Sequence, residues 1–384
     1  MAPVKLDMDR LIDDRRTRIV VCCGSGGVGK TTAAAAIGLR AAERGRQACV
    51  LTVDPARRLA QSMGLTSLDN TPRQVDGVDT ADGGSLHAMM LDMKRTFDEI
   101  VEAHADPDRA AQILANPFYQ SLSSSFAGTQ EYMAMEKLGQ LRHADEWDLI
   151  VVDTPPSRSA LDFLDAPQRL GRFLDGRLIR LLTVPARAGM SYMKVLNAGF
   201  AMMTSALTKI LGAQVLKDAQ TFVTAFDTMF GGFRERAEAT YRLLQTPGTA
   251  FLVVAAPEPD ALREASYFVE RLDTERMPLA GLILNRVHVS PAARLSAARS
   301  LAAAEALDVH DQGDGSGPRY GLAAGVLRMH AERMNLGKRE RRLAEHFTSA
   351  HPAIPVAEVV AQPEDVHDLD GLRVIGTILS QQSP

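Results

Sequence analysis

The chain has 384 residues, 46% of them hydrophobic and 23% charged, with a formal net charge of -4. Such a length and apolar content bury a large core in one big α/β domain or two modest ones and exclude intrinsic disorder. The slight acidity offers no basic field for DNA or an anionic membrane surface, so nucleic acid is not an expected partner.

The first 17 residues, "MAPVKLDMDRLIDDRRT", are highly charged and lack the apolar stretch of a secretion signal. They are expected to form a flexible arm ahead of a single domain over residues 18–384. No later segment offers about 18 uninterrupted apolar residues, so no stable membrane insertion is expected. Cys22, Cys23 and Cys49 all lie in apolar runs, which argues against a disulfide framework and fits a reducing cytoplasm.

From residue 18 onward, strand-like runs alternate with helical stretches. The runs are "RIVVCC", "ACVLTV", "LHAMML", "WDLIVVD", "TAFLVVAA" and "LAGLILN". Near-continuous apolar strands of this kind are buried on both sides, so the fold class is α/β, a mostly parallel twisted sheet with helices on both faces.

The first run leads into "GSGGVGKTT", residues 24–32. Gly24, four residues, Gly29, Lys30 and Thr31 match the phosphate-loop pattern in the strand-to-helix context that it requires. Gly24, Ser25, Gly26, Gly27, Val28 and Gly29 form the backbone cradle, whose N–H groups turn inward around phosphate oxygens at a helix N-terminus. Lys30 is expected to reach the β- and γ-phosphates, Thr31 to place a hydroxyl on Mg²⁺, and Thr32 to bond an α-phosphate oxygen. "KTTAAAAIGLRAAERG" reads as the following helix, with Gly45 as its C-terminal cap.

"LTVDPARRLAQSMG" places Asp54 at the carboxyl end of the second strand, where open α/β sheets bind ligands. A carboxylate there orients an attacking water, or caps a helix before Pro55. Residues 94–146 read as a helical addition that includes the Met-containing "QEYMAMEKL". "WDLIVVDTPPS" then delivers Asp153 to another strand end, the place of a carboxylate that holds Mg²⁺ through its water shell. The "DTPPSRSALDFLDAP" that follows has the character of a switch sensing the γ-phosphate.

A second helical addition spans residues 182–244. Five of the chain's 16 methionines fall between Gly189 and Phe233, which suits either a surface for varied apolar partners or a packed helical subdomain. "DVHDQGDGSGPRYG" reads as a mobile loop and "GKRERR", residues 337–342, as a solvated basic face. The tail "DLDGLRVIGTILSQQSP" is neither a DNA-binding face nor an amphipathic membrane helix, the features expected of chromosome-partitioning or division-site ATPases that share this kind of loop. Cysteine ligands for an interface iron–sulfur cluster are also missing.

Taken together, "GSGGVGKTT", "VDPARRLA", "LHAMMLD", "VVDTPPSRSALDFL", "VVAAPEPDALREA", "LILNRV" and "IPVAEV" resemble the arsenite-pump and tail-anchored-protein-targeting ATPases, a deviant phosphate-loop family. The resemblance runs from about Arg18 to Leu372. It implies an ATP- and Mg²⁺-dependent dimeric ATPase whose helical insert opens a groove for an apolar client helix. It also implies that Asp54 is the catalytic carboxylate, Asp153 the switch aspartate, Asn285 the reader of adenine, and Pro355 and Val356 the lining of the adenine pocket.

Four departures qualify it. The family's loop carries a lysine where this chain has Ser25, and that lysine crosses a dimer interface to the other subunit's phosphates. A serine is too short and carries no charge. The resemblance therefore admits a heterodimer with a lysine-bearing paralogue, a slow homodimer that tolerates Ser25, or a nucleotide-binding regulatory subunit with little hydrolysis of its own. Arg57 and Ser159 replace histidines of the family's switch motifs. "NRVHVSPA" lacks the cysteine pair that holds an interface zinc, and the three cysteines do not lie where an arsenite site gathers thiols.

Overall fold

The structure is a computed structural model describing residues 4–54, 58–117, 119–120, 123, 129–155, 235–313 and 320–381. Its described strands are β1 (Ile19–Cys23), β2 (Gln47–Thr52), β3 (Arg73–Gln74), β4 (Ser85–Met90), β5 (Leu149–Asp153), β6 (Thr249–Ala255), β7 (Leu279–Val287) and β8 (Val356–Val360). They form one sheet in the order β3-β4-β2-β5-β1-β6-β7-β8. Every neighbouring pair is parallel except β3 with β4, a two-residue antiparallel edge.

The apolar runs are continuous because both sheet faces are covered. Successive strand side chains point to opposite faces. Thus Ile19, Val21 and Cys23 enter one core with Ile150, Val152, Phe251 and Val253, while Val20 and Cys22 enter a second with Val151, Leu252 and Val254. The second core is closed by α2 (Lys30–Glu43), whose alanines let its backbone lie close to the sheet. α2 ends in a Schellman motif. Gly45 has φ +79°, its N–H donates to the Ala42 carbonyl at 3.0 Å, and the Arg46 N–H donates to the Ala41 carbonyl at 3.0 Å.

The charged N-terminus, expected as a flexible arm, is docked over its described residues. The Leu6 N–H donates to the Val356 carbonyl at 3.1 Å, and α1 (Met8–Asp13) buries Met8 and Ile12 in the second core. Its acids meet α2: the Arg40 guanidinium donates to Asp9 at 2.6 and 2.7 Å, and Arg44 pairs with Asp13.

Arg46 completes the attachment from a buried position, 1% exposed. It donates to the Ile12 and Thr17 carbonyls at 2.5 and 2.7 Å and to the Asp148 carbonyl and carboxylate at 2.6 and 2.5 Å. A buried guanidinium is tolerated only with its fork satisfied in this way. Arg46→Met strands those acceptors and is expected to lower stability by about 2–4 kcal/mol in urea unfolding; a change under about 0.5 kcal/mol would contradict this account of the clamp.

The first helical addition resolves into α4 (Met93–His104), α5 (Pro107–Leu114) and α6 (Thr129–Ala144). Asp92 and Asp106 cap α4 and α5 by accepting the Arg95 and Arg109 N–H groups. Of the second addition only residues 235–244 are described, and they are helical. The Met-rich stretch and the switch residues after Pro155 lie outside the described residues.

The remaining labelled helices of the described residues are α3 (Arg58–Ser62), α7 (Pro259–Thr274), α8 (Ala297–Gly313), α9 (Gly321–Ala350) and α10 (Leu369–Ser380). Asp308 to Gly313, read as loop from its composition, continues α8; residues 314–319 are outside the description. "GKRERR" falls within α9 with its basic side chains exposed, apart from the buried Glu340. Among the described residues no helix is long and apolar enough to cross a membrane.

Candidate functional site

β1 is an interior strand, between β5 and β6, so the loop leaving its carboxyl end emerges mid-sheet, where open α/β sheets take ligands. Three glycines there are required by geometry. A side chain on Gly24 would stand 2.1 Å from the Val254 carbonyl, and one on Gly29 2.2 Å from the Asn285 amide nitrogen. Gly27 has room, but its φ of +76° disfavours any L side chain. Gly26 and Gly27 are exposed, Ser25 is half-buried, and Val28 is buried as the loop's anchor in the core.

Lys30 opens α2 and turns back into the loop, where its ammonium donates to the Ser25 carbonyl at 2.8 Å. Burial lowers its pKa, opposed by the nearby Asp153 and Asp54. The ammonium has three donors, and no other hydrogen bond to it is found among the described residues. An anion in the cradle would meet the remaining two.

Asp153 ends β5 between Cys22 of β1 and Thr52 of β2. One carboxylate oxygen accepts from the Thr31 hydroxyl at 2.7 Å and the Thr52 hydroxyl at 2.8 Å. The other is buried without a hydrogen-bond partner. Thr52 was not singled out in the sequence. It joins the two acids, because its hydroxyl also accepts the Asp54 N–H at 3.2 Å. Its position two residues before Asp54 in "LTVD" was the available signal.

An orphaned carboxylate oxygen beside a threonine hydroxyl is a hard-oxygen donor set that fits Mg²⁺. No cluster of three or more metal-ligating side chains occurs among the described residues. Mg²⁺ held by one carboxylate, water and substrate phosphates does not need one.

Burial raises the Asp153 pKa to about 6, with Asp54 adding to the rise and the Thr31 and Thr52 hydroxyls and Lys30 opposing it. The folded value lies above the unfolded one, so the proton favours the folded state: this contribution is present below about pH 3.8 and lost as pH rises through about 6. Asp153→Asn is therefore expected to stabilise the ligand-free chain at pH 7.5 by about 2–3 kcal/mol, and by much less at pH 4.5. Thermal unfolding at the two pH values checks this; an equal effect at both would contradict it.

Around these groups lies an open cavity of about 820 Å³, lined by Gly27, Gly29, Lys30, Thr31, Thr32 and Asp54. That volume is within the range of small-molecule sites. Residues that sequence reading did not single out complete the lining: Arg58, Gln61 and Ser62 from α3 (Arg58–Ser62), Arg286 after Asn285, and Asp365, Val366 and His367 after β8. Asp54 is half-buried at the cavity wall, and Pro55, Ala56 and Arg57 lie outside the described residues. Asn285 braces the loop, its amide donating to the Val28 carbonyl at 2.8 Å.

Pro355 and Val356 do not line the cavity. Val356 pairs with Leu282 at the amino end of β8 and is buried in the first core, and the Pro355 carbonyl accepts the Leu282 N–H at 2.8 Å. The chain reaches the carboxyl edge only beyond Val360, about 13 Å farther along the strand, so residues 365–367 border the site instead. The cysteines are buried and split between the two cores, Cys22 in one and Cys23 and Cys49 in the other. Burial pushes the Cys23 and Cys49 thiols up to about 12, leaving them poor ligands.

Residues 17–306 match the family model of the anion-transporting ATPases. The chain is 27% identical to an ATPase GET3 of Malassezia globosa over 167 residues, 44% of this chain and 47% of that protein. It is 27% identical to an ATPase GET3 of Blastomyces gilchristii over 176 residues, 45% and 50% of the two chains. It therefore spans about half the length of these relatives. An ATPase get3 of Schizosaccharomyces pombe is 23% identical over 290 residues, 75% of this chain and 79% of that protein. The family match covers about three quarters of the chain, from the residues before β1 through β7 and into α8, and takes in the glycine cradle and both strand-end acids: this chain belongs to the anion-transporting ATPase family.

Proposed function

We propose that the chain binds ATP with Mg²⁺ in the glycine cradle and hydrolyses it. The observation that carries this reading is the half-satisfied Asp153: one carboxylate oxygen accepts from Thr31, which lines the cavity, and the other is orphaned, while Lys30 on the same cavity has two donors unused among the described residues. Gly24 to Thr32 hold the phosphates by backbone N–H groups, with Lys30 on the terminal ones. Thr31 and, through water, Asp153 hold Mg²⁺, which would neutralise charge developing on the phosphates. Asp54 orients the attacking water, and Asn285 and the loop after β8 receive the base.

The active form in this reading is a dimer, and nucleotide state opens an apolar groove for a client helix. The support is the family membership and the methionine content of Gly189 to Phe233. Ser25 favours a second reading, a regulatory nucleotide-binding subunit. It also leaves homodimer and heterodimer with a lysine-bearing paralogue as the two assemblies. The discriminating experiment is purification from the native cell with a non-hydrolysable ATP analogue, followed by turnover assays of the chain alone and with whatever copurifies. Steady turnover alone supports a self-sufficient enzyme; activity only with a copurified paralogue supports the heterodimer; ATP binding with no turnover in either setting supports the regulatory subunit.

A further inference from the structure

We infer that Arg58 supplies, from within the same chain, the positive charge that Ser25 lacks, meeting the γ-phosphate opposite Lys30. This rests on reading the cavity as the ATP site. Arg58 is the first residue of α3, four residues after Asp54, and borders the same cavity as Lys30, Thr31 and Thr32. Its helix is fixed from behind, because Leu59, Ala60 and Met63 are buried in the second core.

Arg58 is an exposed residue, and its guanidinium has no hydrogen-bond or ion-pair partner among the described residues. Arg40, Arg44, Arg46 and Arg373 in the same half of the sheet are all paired with acids. The cavity is otherwise bordered by Lys30, Arg286 and His367 as basic groups and Asp54 and Asp365 as acids. Arg286 follows Asn285 at the base end, and Arg58 follows Asp54 at the end where water attacks. An unpaired guanidinium fork beside a phosphate cradle has the donors that a phosphoryl group requires.

In hydrolysis the water oxygen bonds to the γ-phosphorus while the bond to the β,γ-bridging oxygen breaks. The electron pair leaves with ADP, and the water proton passes to the released phosphate. Negative charge shifts among the phosphate oxygens as this happens, and a guanidinium there stabilises the transition state more than the bound ground state.

The test compares the full-length chain with Arg58→Ala for kcat, for the ATP Kd by calorimetry, for Tm, and for rescue by added guanidinium ion. The expected result is a kcat about 100-fold lower, a Kd within about threefold of the original, an unchanged Tm and partial recovery with guanidinium. An unchanged kcat would overturn the inference, as would a loss that tracks a lowered Tm without rescue. A native chain that binds Mg-ATP but hydrolyses none by itself also overturns it while leaving the site reading intact; a chain that binds no ATP removes both.

Discussion

Replacing Lys30 with alanine is expected to weaken ATP binding by about 100- to 1000-fold while leaving the fold intact. The side chain is 5% exposed, and its ammonium is held by the Ser25 carbonyl inside the loop. In that desolvated place two charge-assisted hydrogen bonds to phosphate are together worth about 3–4 kcal/mol. The unfolding midpoint is not expected to fall, because a buried cation with no ion-pair partner among the described residues stabilises the ligand-free chain little. Equal ATP affinity in the variant, measured by calorimetry, would remove Lys30 from the site.

Asp54→Asn is expected to separate binding from chemistry. Loss of a water-orienting carboxylate lowers hydrolysis by about 100- to 10,000-fold. ATP affinity is expected to hold or rise, since a negative charge beside the phosphates is removed. Asparagine keeps the shape and the backbone, so the Thr52 contact to the residue 54 N–H survives. Single-turnover phosphate release together with equilibrium binding reads both quantities. Full activity in the variant would return Asp54 to a structural role.

The legible part of this molecule is the part where sequence pattern and backbone geometry coincide. The six apolar runs all became strands because both faces of the sheet are buried. Gly24 and Gly29 are glycines because the Val254 carbonyl and the Asn285 amide nitrogen stand 2.1 and 2.2 Å from where their side chains would begin. Asp153 was legible as a strand-end acid, but its bond to Thr52 crosses from β5 to β2, and no local pattern reports a contact between residues 101 apart.

What escaped was short or compositionally disguised. β8 is five residues long with Glu358 exposed in its middle, and "IPVAEV" did not announce a strand. Without that strand the site could not be extended to residues 365–367. The charges of the first 17 residues concealed Leu6, Met8 and Ile12, which are buried against the sheet and α2. Their acids turned out to be partners for Arg40 and Arg44 instead of a sign of solvation.

The most direct test of the account is a calorimetric titration of the full-length chain with ATP, with Mg²⁺ present and with it chelated. Saturable binding at one site per chain is expected in the presence of Mg²⁺, and clearly weaker binding without it. No heat of binding from well-folded protein, with or without the metal, would contradict it.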